Sequence, residues 1–600
     1  MPGTAILSQG VGYGVVLGIG CFFTLLMIGL TKLQTRYTPM KMTSISEFAS
    51  ASHSVKPGLI ACAIVSSWTW AATLLQSSAM GYKTGIYGPY SYAAGATVQI
   101  FLFAVNAAKI KMNAPKAHTF LEVIRVRWGT FPHVVFIFFA FATAFLVSSM
   151  LITGGAATVT DLTGMNPYAA AILIPIPVAL YTLVGGLRSS LLADYIHTVF
   201  LFGIILLFMF EVFVTNDKIG SPSKMYDMLV QAGKDWPVSG NKDGSYLTFQ
   251  SKSAGIFMVL NLIGNLRAIA SVPSTAVKGY MLGGSAWLSI PLGMAATMGL
   301  SAVVLKYDPS YPNYPIGLTS AEVAAGLPAA AAAQTLLKAG GAAALLVLLF
   351  LAVTSATAAE LCATSTVMTY DIYAPYIRPG ASEKELLLVD HVGIVVWCVV
   401  MAIIGWLVTA ATLNDGAITM ETTFQDYPML CGNLLSIGIA SIIAFTGSLI
   451  WPENYDWVET RALHAHTEAS EIVPESPVEG VDDDLKNEKG VASPDQGRSA
   501  APSIEGVELD TPEHLRKTHR FATVVATCMF VILMILIPVP LAASGWISTK
   551  VGFTTYVVIA FIWVFYGAFA VCIYPIWEYR KSLSTIFGHI WADVTGKGKK

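Results

Sequence analysis

The residues of this 600-residue chain best suited to chemistry are polar groups set in apolar surroundings. From Tyr181 to Asp194, YTLVGGLRSSLLAD places a glycine pair and a lone carboxylate at the junction between two long apolar segments. A charge at the start of a membrane helix is costly, which makes Asp194 a functional candidate by default. The plainer reading is a Gly-Gly turn with an interfacial Asp. Between Leu59 and Gly95, Ser66, Ser67, Thr69, Thr73, Gln76, Ser77 and Ser78 supply more hydrogen-bonding capacity than lipid contact tolerates, so they face protein or water. A discontinuous helix here would free backbone carbonyls for a cation, with Trp68, Trp70 and Thr73 lining the adjacent cavity. The alternative is a helix packed through small residues, against which both tryptophans fall mid-span. Glu360 is the only carboxylate in the middle of the apolar run 341–370. It is a candidate proton carrier, a substrate anchor, or a structural carboxylate bonded between helices. All of this is equipment for binding ions and polar solutes. HExxH, Gly-x-Ser-x-Gly and paired intramembrane aspartates are missing from the sequence, so no enzyme is expected.

These residues must be held by membrane helices. With 54% hydrophobic and 12% charged residues the chain is too apolar for a soluble protein of its length. The net charge of −2 and the scatter of basic residues over short loops exclude nucleic acid as a partner and leave the lipid bilayer. The seven cysteines lie in apolar segments without ligand spacing and read as small hydrophobes. No organic cofactor and no metal beyond a sodium ion are expected. The first apolar run lacks a basic leader and a cleavage site, so it reads as a retained helix and not a signal peptide.

A span needs about 20 mostly apolar residues. That criterion gives about thirteen: 11–32, 57–80, 85–110, 132–157, 167–187, 192–215, 253–272, 280–305, 341–370, 388–411, 426–451, 521–543 and 552–577. Lys and Arg concentrate in loops 31–56, 109–130, 185–191 and 371–387 and in the C-terminal tail, which assigns that side to the cytoplasm and the N-terminus to the outside. The longer segments 216–252 and 306–340 then form the extracellular vestibule. Residues 453–520 hold 16 acidic residues against 7 basic ones and read as a disordered cytoplasmic linker, with cytoplasmic regulators as its expected partners. Five spans between 57 and 215 and five between 253 and 451 start on opposite sides, as an inverted repeat demands. The expected division is therefore an accessory helix and loop (1–56), a first repeat (57–215), an extracellular loop (216–252), a second repeat (253–451), the linker (452–520), and two accessory helices with a tail (521–600). The fold class is an all-α polytopic membrane protein.

The run Tyr-Thr-x-x-Gly-Gly-Leu-x-Ser followed by Asp194, and LAVTSATAAELCATSTVMTYDIY from Leu351 to Tyr373, resemble signatures of the sodium:solute symporter family. The resemblance implies a leucine-transporter-like core of five plus five helices. It also implies one sodium ion between the first and eighth core helices, held by carbonyls at Ser66, Thr69 and Ala352 and a hydroxyl at Ser355, with Asp194 contributing. The second hydroxyl position of that site is Ala356 here, which favours proton coupling at least as much as sodium, Thr354 and Thr357 being the candidate substitutes.

Within the family the sequence is similar to the urea active transporters of fungi and plants, through SSWTWAATLLQSS (Ser66–Ser78), GATVQI (Gly95–Ile100), KAHTFLEVIRVRWG (Lys116–Gly129), VKGYMLGG (Val277–Gly284) and PENYDWVETR (Pro452–Arg461). The resemblance implies urea as solute. A urea site needs donors, acceptors and flat apolar walls, which Trp68, Trp70, Thr73, Tyr92 and Asn265 provide. About three helical turns of the branch's sixth core helix have no counterpart after Asn265, where the chain runs directly into Leu266 and Arg267. Two other readings stay open: a symporter of another small polar solute such as a polyamine or an amide, and a transport-deficient sensor.

Overall fold

Long apolar runs satisfy their backbone groups internally by coiling into helices, and helices account for every described element beyond two isolated bridge pairs, Asn241 with Ser251 and Thr248 with Ile547. The computed structural model describes residues 6–37, 45–50, 55–114, 117–264, 276–413, 457–461 and 512–595. The helices are α1 (Gln9–Tyr37), α2 (Pro57–Trp68), α3 (Ala71–Thr84), α4 (Tyr87–Asn113), α5 (Phe120–Trp128), α6 (Thr130–Thr163), α7 (Pro167–Thr215), α8 (Pro222–Asp235), α9 (Lys252–Gly264), α10 (Val277–Tyr307), α11 (Pro328–Ile377), α12 (Glu383–Leu413), α13 (Glu513–Ala543), α14 (Lys550–Glu578) and α15 (Arg580–Val594). Nine of the described helices are long and apolar enough to cross a membrane, or ten when α2 and α3 count as one broken span. The expected eleventh span, 426–451, and Cys431 lie outside the described residues, as do the second half of the expected sixth core helix with Asn265 and Arg267, and most of the acidic linker. The helix of the twelfth span starts at Pro512, inside the stretch assigned to that linker.

Three of these helices are interrupted where the sequence permits it. The chain bends by 65° between α2 and α3. Within α7, Gly186 takes φ 51°, ψ −145°, a conformation open to glycine, and a Cβ there would lie 2.4 Å from the Phe48 carbonyl oxygen. The Gly-Gly element thus makes the turn between two spans, as its composition suggests. The third break, at Lys338 (φ 52°), separates a lid helix at 328–337 from the long span that follows.

Two groups of contacts tie the described loops together. In one, Thr119 Oγ1 donates to Asp371 Oδ1 at 2.9 Å, the backbone N–H of Lys56 donates to the Tyr579 hydroxyl at 2.8 Å, and Arg36 meets Asp593 at 3.0 Å, joining the basic loops to the tail. In the other, Lys218 pairs with Asp308 at 2.9 Å, Lys550 with Asp227 at 2.6 Å, and the rings of Trp236 and Tyr307 lie 4.8 Å apart. The lid helix α8 is started by Ser221, whose hydroxyl accepts from Lys224 N, with Pro222 at its first position. Helix α2 packs against α7, α10 and α11, which is the contact that builds the site.

Candidate functional site

The break in the first core helix follows from Ser-Trp-Thr-Trp. Thr69 (φ −97°, ψ 95°) and Trp70 (φ −93°, ψ 166°) are extended, and polar side chains take over the backbone groups that the lost turn would leave bare. Thr69 Oγ1 donates to Val65 O at 2.6 Å, Trp70 Nε1 to Ser67 O at 2.7 Å, and Thr73 Oγ1 to Trp68 O at 3.3 Å while accepting from Trp70 N. The hydroxyl density read from the sequence is therefore used to hold an interruption open.

Beside the break, Ser66 Oγ lies 2.6 Å from Ser355 Oγ on α11, and Ser355 Oγ donates to Asp194 Oδ1 at 2.5 Å. All three residues are buried, and no cationic side chain pairs with Asp194 among the described residues. The position of Asp194 corrects the sequence reading. It sits eight residues past the Gly186 bend, about 12 Å along the helix, and is buried among three helices instead of lying at the interface. Its own carbonyl accepts from Thr198 Oγ1 at 2.8 Å. One turn on, His197 turns away from the cluster to meet the Phe23 ring edge-on at 4.6 Å.

The remaining candidates distribute around this cluster. Ala352 is buried on α11 three residues before Ser355, and Thr69 is completely buried. The Ser66 carbonyl already accepts from Thr69 N at 3.1 Å, leaving one lone pair for a cation. Ala356 packs with Val147, Leu151 and Trp70, so apolar surface fills the place of a second hydroxyl. Neither substitute is turned toward that gap: Thr354 Oγ1 donates to Phe350 O at 3.1 Å and Thr357 Oγ1 to Val353 O at 2.8 Å, both within their own helix. Glu360 is half-buried further along α11, where its carbonyl accepts from Thr364 Oγ1 at 2.6 Å.

Of the five substrate candidates, Thr73 bonds the Trp68 carbonyl and Trp70 N at the break, Trp70 packs against Val147, Leu151 and Ala356, and Tyr92 stands beside Phe257 with ring centres 5.6 Å apart. Asn265 lies outside the described residues. The sequence reading missed two residues that fix Tyr92 in place. Asn261 Nδ2 donates to the Tyr92 carbonyl at 2.8 Å, and Gln99 Nε2 donates to Asn261 O and, at 2.6 Å, to Leu262 O. Gln99 follows Tyr92 by seven residues and so shares its helix face, which was the available signal. Gly95, between them, lets α9 approach so closely that a Cβ would lie 2.6 Å from Met258 O.

The centre of the site is a buried carboxylate beside a helix break, bonded to the Ser355 hydroxyl, which in turn meets the Ser66 hydroxyl. Proteins of known kind share this arrangement of helices. A solved sodium-coupled sialic acid symporter, in a substrate-bound outward-open state, superposes with a TM-score of 0.54 at 14% identity, over 73% of this chain and 92% of that one. This likeness shows the fold, a core of five plus five helices with accessory spans. The urea active transporter of Saccharomyces cerevisiae is 37% identical over 99% of this chain and 94% of its own length. A probable urea active transporter of Schizosaccharomyces pombe is 38% identical over 98% and 94%, and the urea-proton symporter DUR3 of rice, Oryza sativa subsp. japonica, is 38% identical over 81% and 76%. The alignment with the Saccharomyces protein runs over 694 positions against 600 residues here, so that relative has residues with no counterpart in this chain. The sodium:solute symporter family pattern matches residues 48–427, and with that match and these relatives the chain belongs to the sodium:solute symporter family.

Proposed function

We propose that this protein is a secondary active urea transporter that couples uptake to protons by alternating access of its two repeats. The observation that carries the reading is the buried Asp194 carboxylate, bonded to Ser355 and through it linked to Ser66 beside the helix break, with no cationic partner among the described residues. A carboxylate so placed has two ways to lose its cost: to take up a proton or to bind a cation. The apolar contact of Ala356 with Trp70, Val147 and Leu151, and the internal hydrogen bonds of Thr354 and Thr357, leave a sodium ion short of oxygen ligands, which supports the proton. Relatives named for urea and for urea-proton symport support the solute and the ion.

In this reading Ser66, Thr69, Ala352, Ser355 and Asp194 form the ion site. Thr73 and Tyr92 offer hydrogen bonds to the urea carbonyl and amides, and Trp68 and Trp70 wall the pocket against larger solutes. Glu360, on α11 with Ser355, is a second candidate proton carrier. The basic loops face the cytoplasm, the lids face outward, the N-terminus is outside and the C-terminus inside, in the plasma membrane. The two repeats span 57–215 and 253–451.

The test is concentrative uptake of labelled urea by a transporter-null host expressing the full chain. Uptake should rise as external pH falls and persist when choline replaces sodium. A steep sodium requirement would refute the proton, and absence of urea uptake with a surface-expressed protein would refute the solute.

A further inference from the structure

Two stretches quoted from the sequence, Lys116–Gly129 and the closing residues Tyr370–Tyr373 of the run that begins at Leu351, take no part in the site above. They meet at the basic end. Thr119 begins α5 with a reciprocal cap, accepting from Glu122 N at 3.2 Å while Glu122 Oε2 accepts from Thr119 N and, at 2.7 Å, from His118 N. Its hydroxyl proton is thereby free to reach Asp371 Oδ1, 252 residues away in sequence, at 2.9 Å. His118 stacks on Tyr370 with ring centres 3.9 Å apart.

Into this junction α6 inserts His133. Its Nε2 lies 3.2 Å from Asp371 Oδ1 and its Nδ1 lies 2.5 Å from the Tyr376 hydroxyl. The His133 and Asp371 side chains are both 0% exposed, whereas Tyr376 is 40% exposed. The second carboxylate oxygen, Asp371 Oδ2, is buried and has no hydrogen-bond partner. A purely structural carboxylate would bond both oxygens, because an unpaired one is costly in a dry interior. We propose that His133 and Asp371 form a second proton-binding site, which exchanges protons with solvent at the basic end through the Tyr376 hydroxyl.

The geometry permits the transfer without a gap. A solvent proton replaces the hydroxyl proton of Tyr376 as that proton passes to Nδ1, and the Nε2 proton passes to Asp371. One O–H bond is remade, one N–H forms and one breaks, and the carboxyl gains its proton; the reverse passage restores the ring. The charged groups around the pair are Glu122 and Arg125 from α5, with His118 just before it, and Asp390 from α12, which accepts from Thr369 Oγ1 at 3.2 Å. Glu122 is itself buried beside the pair. The pair's use in transport, release of the coupling proton on the cytoplasmic side, rests on the function proposed above; the site itself does not.

The experiment uses the purified full chain in liposomes, with the proton as the probe. Infrared difference spectra on acidification should show an imidazole and a carboxyl change. One carboxyl component should be lost in Asp371→Asn and one imidazole component in His133→Gln, whose amide keeps a donor and an acceptor in the ring's place, while the remaining carboxyl and imidazole components stay in both. Tyr376→Phe, altered only at the partly exposed hydroxyl, should keep both changes but approach them about fivefold more slowly after a pH jump, the effect of losing one hydrogen bond in the relay. Spectra of Asp371→Asn that superpose on those of the wild type, or an unaltered rate in Tyr376→Phe, would overturn the proposal. A second arm measures urea uptake in cells with internal pH clamped at constant external pH. The dependence on internal pH should flatten in His133→Gln, and a retained dependence would count against the site. Wild-type cells without urea uptake would sink the transport reading while the infrared arm still decides the site.

Discussion

Asp194 has a hydroxyl partner, Ser355, and two separable properties, its charge and its hydrogen bond. Asp194→Asn keeps the shape and can bond Ser355 while removing the charge. A hydrogen bond to a charged group is worth about 1.5–3 kcal/mol, so the ion site should weaken by about tenfold or more. The expected outcome is loss of accumulation against a gradient with urea exchange across the membrane retained, read as the ratio of internal to external label at steady state; accumulation at the wild-type level would remove Asp194 from coupling. Tyr92 makes the complementary case on the solute side. Its ring lies 5.6 Å from the Phe257 ring and its backbone is held by Asn261, so Tyr92→Phe removes only the hydroxyl proposed to bond urea and leaves the packing. A neutral hydrogen bond of about 1 kcal/mol predicts about a fivefold weaker apparent affinity for urea with surface expression unchanged. An unaltered concentration dependence would show that the ring, and not its hydroxyl, serves the pocket.

Helices and lids were legible to different degrees. Apolar length fixed where spans run, because a membrane span has one length and one composition. The break in the first core helix was legible in the hydroxyls of Ser66–Ser78, since groups of that kind have no place against lipid. The burial of Asp194 was not, because sequence shows that it follows a glycine pair but not which neighbours its helix will meet. The pairing of His133 with Asp371 was equally hidden, being tertiary, although the Thr-x-x-Glu cap of α5 stood in plain view. The lid behaves as an element of its own. Burial pushes the Asp308 carboxyl upward, but the Ser310 hydroxyl and backbone N–H and the Lys218 ammonium outweigh it and hold the group below its usual value. A carboxyl depressed in the folded state stabilises above its unfolded value of about 3.9 and loses that contribution as pH falls through the folded one. Amide exchange in the lid segment around Lys218 should therefore rise below about pH 4, while the α2–α11 contact stays protected. Lid exchange that stays flat across that range would mean the Lys218–Asp308 pair does not hold it.

At the scale of the whole molecule, the two halves of the broken helix are each held at their far ends by segments outside the repeats or between them. At the end away from the basic loops, Asn241 Nδ2 donates to Thr84 O at 3.0 Å and Ile86 N to Tyr246 O at 2.8 Å, tying α3 to the segment 236–251. At the basic end, the start of α2 is capped in trans. Glu578 Oε2 accepts from Gly58 N at 2.9 Å, and the Glu578 carbonyl accepts from Lys56 Nζ at 3.0 Å, so the last accessory span supplies the cap that Lys56 and Pro57 cannot. The only free joint in the first core helix is then the extended pair Thr69–Trp70, beside Asp194, and a change of charge there can tilt one half without moving the other. Glu578→Ala removes the cap and costs about 1 kcal/mol at that end. Amide exchange over Gly58–Ile60 should rise about fivefold in the purified protein while exchange over α3 stays at the wild-type rate. Equal acceleration in both halves would show that the helix moves as one rigid rod, and that the break at Thr69 and Trp70 is a feature of the site and not a hinge.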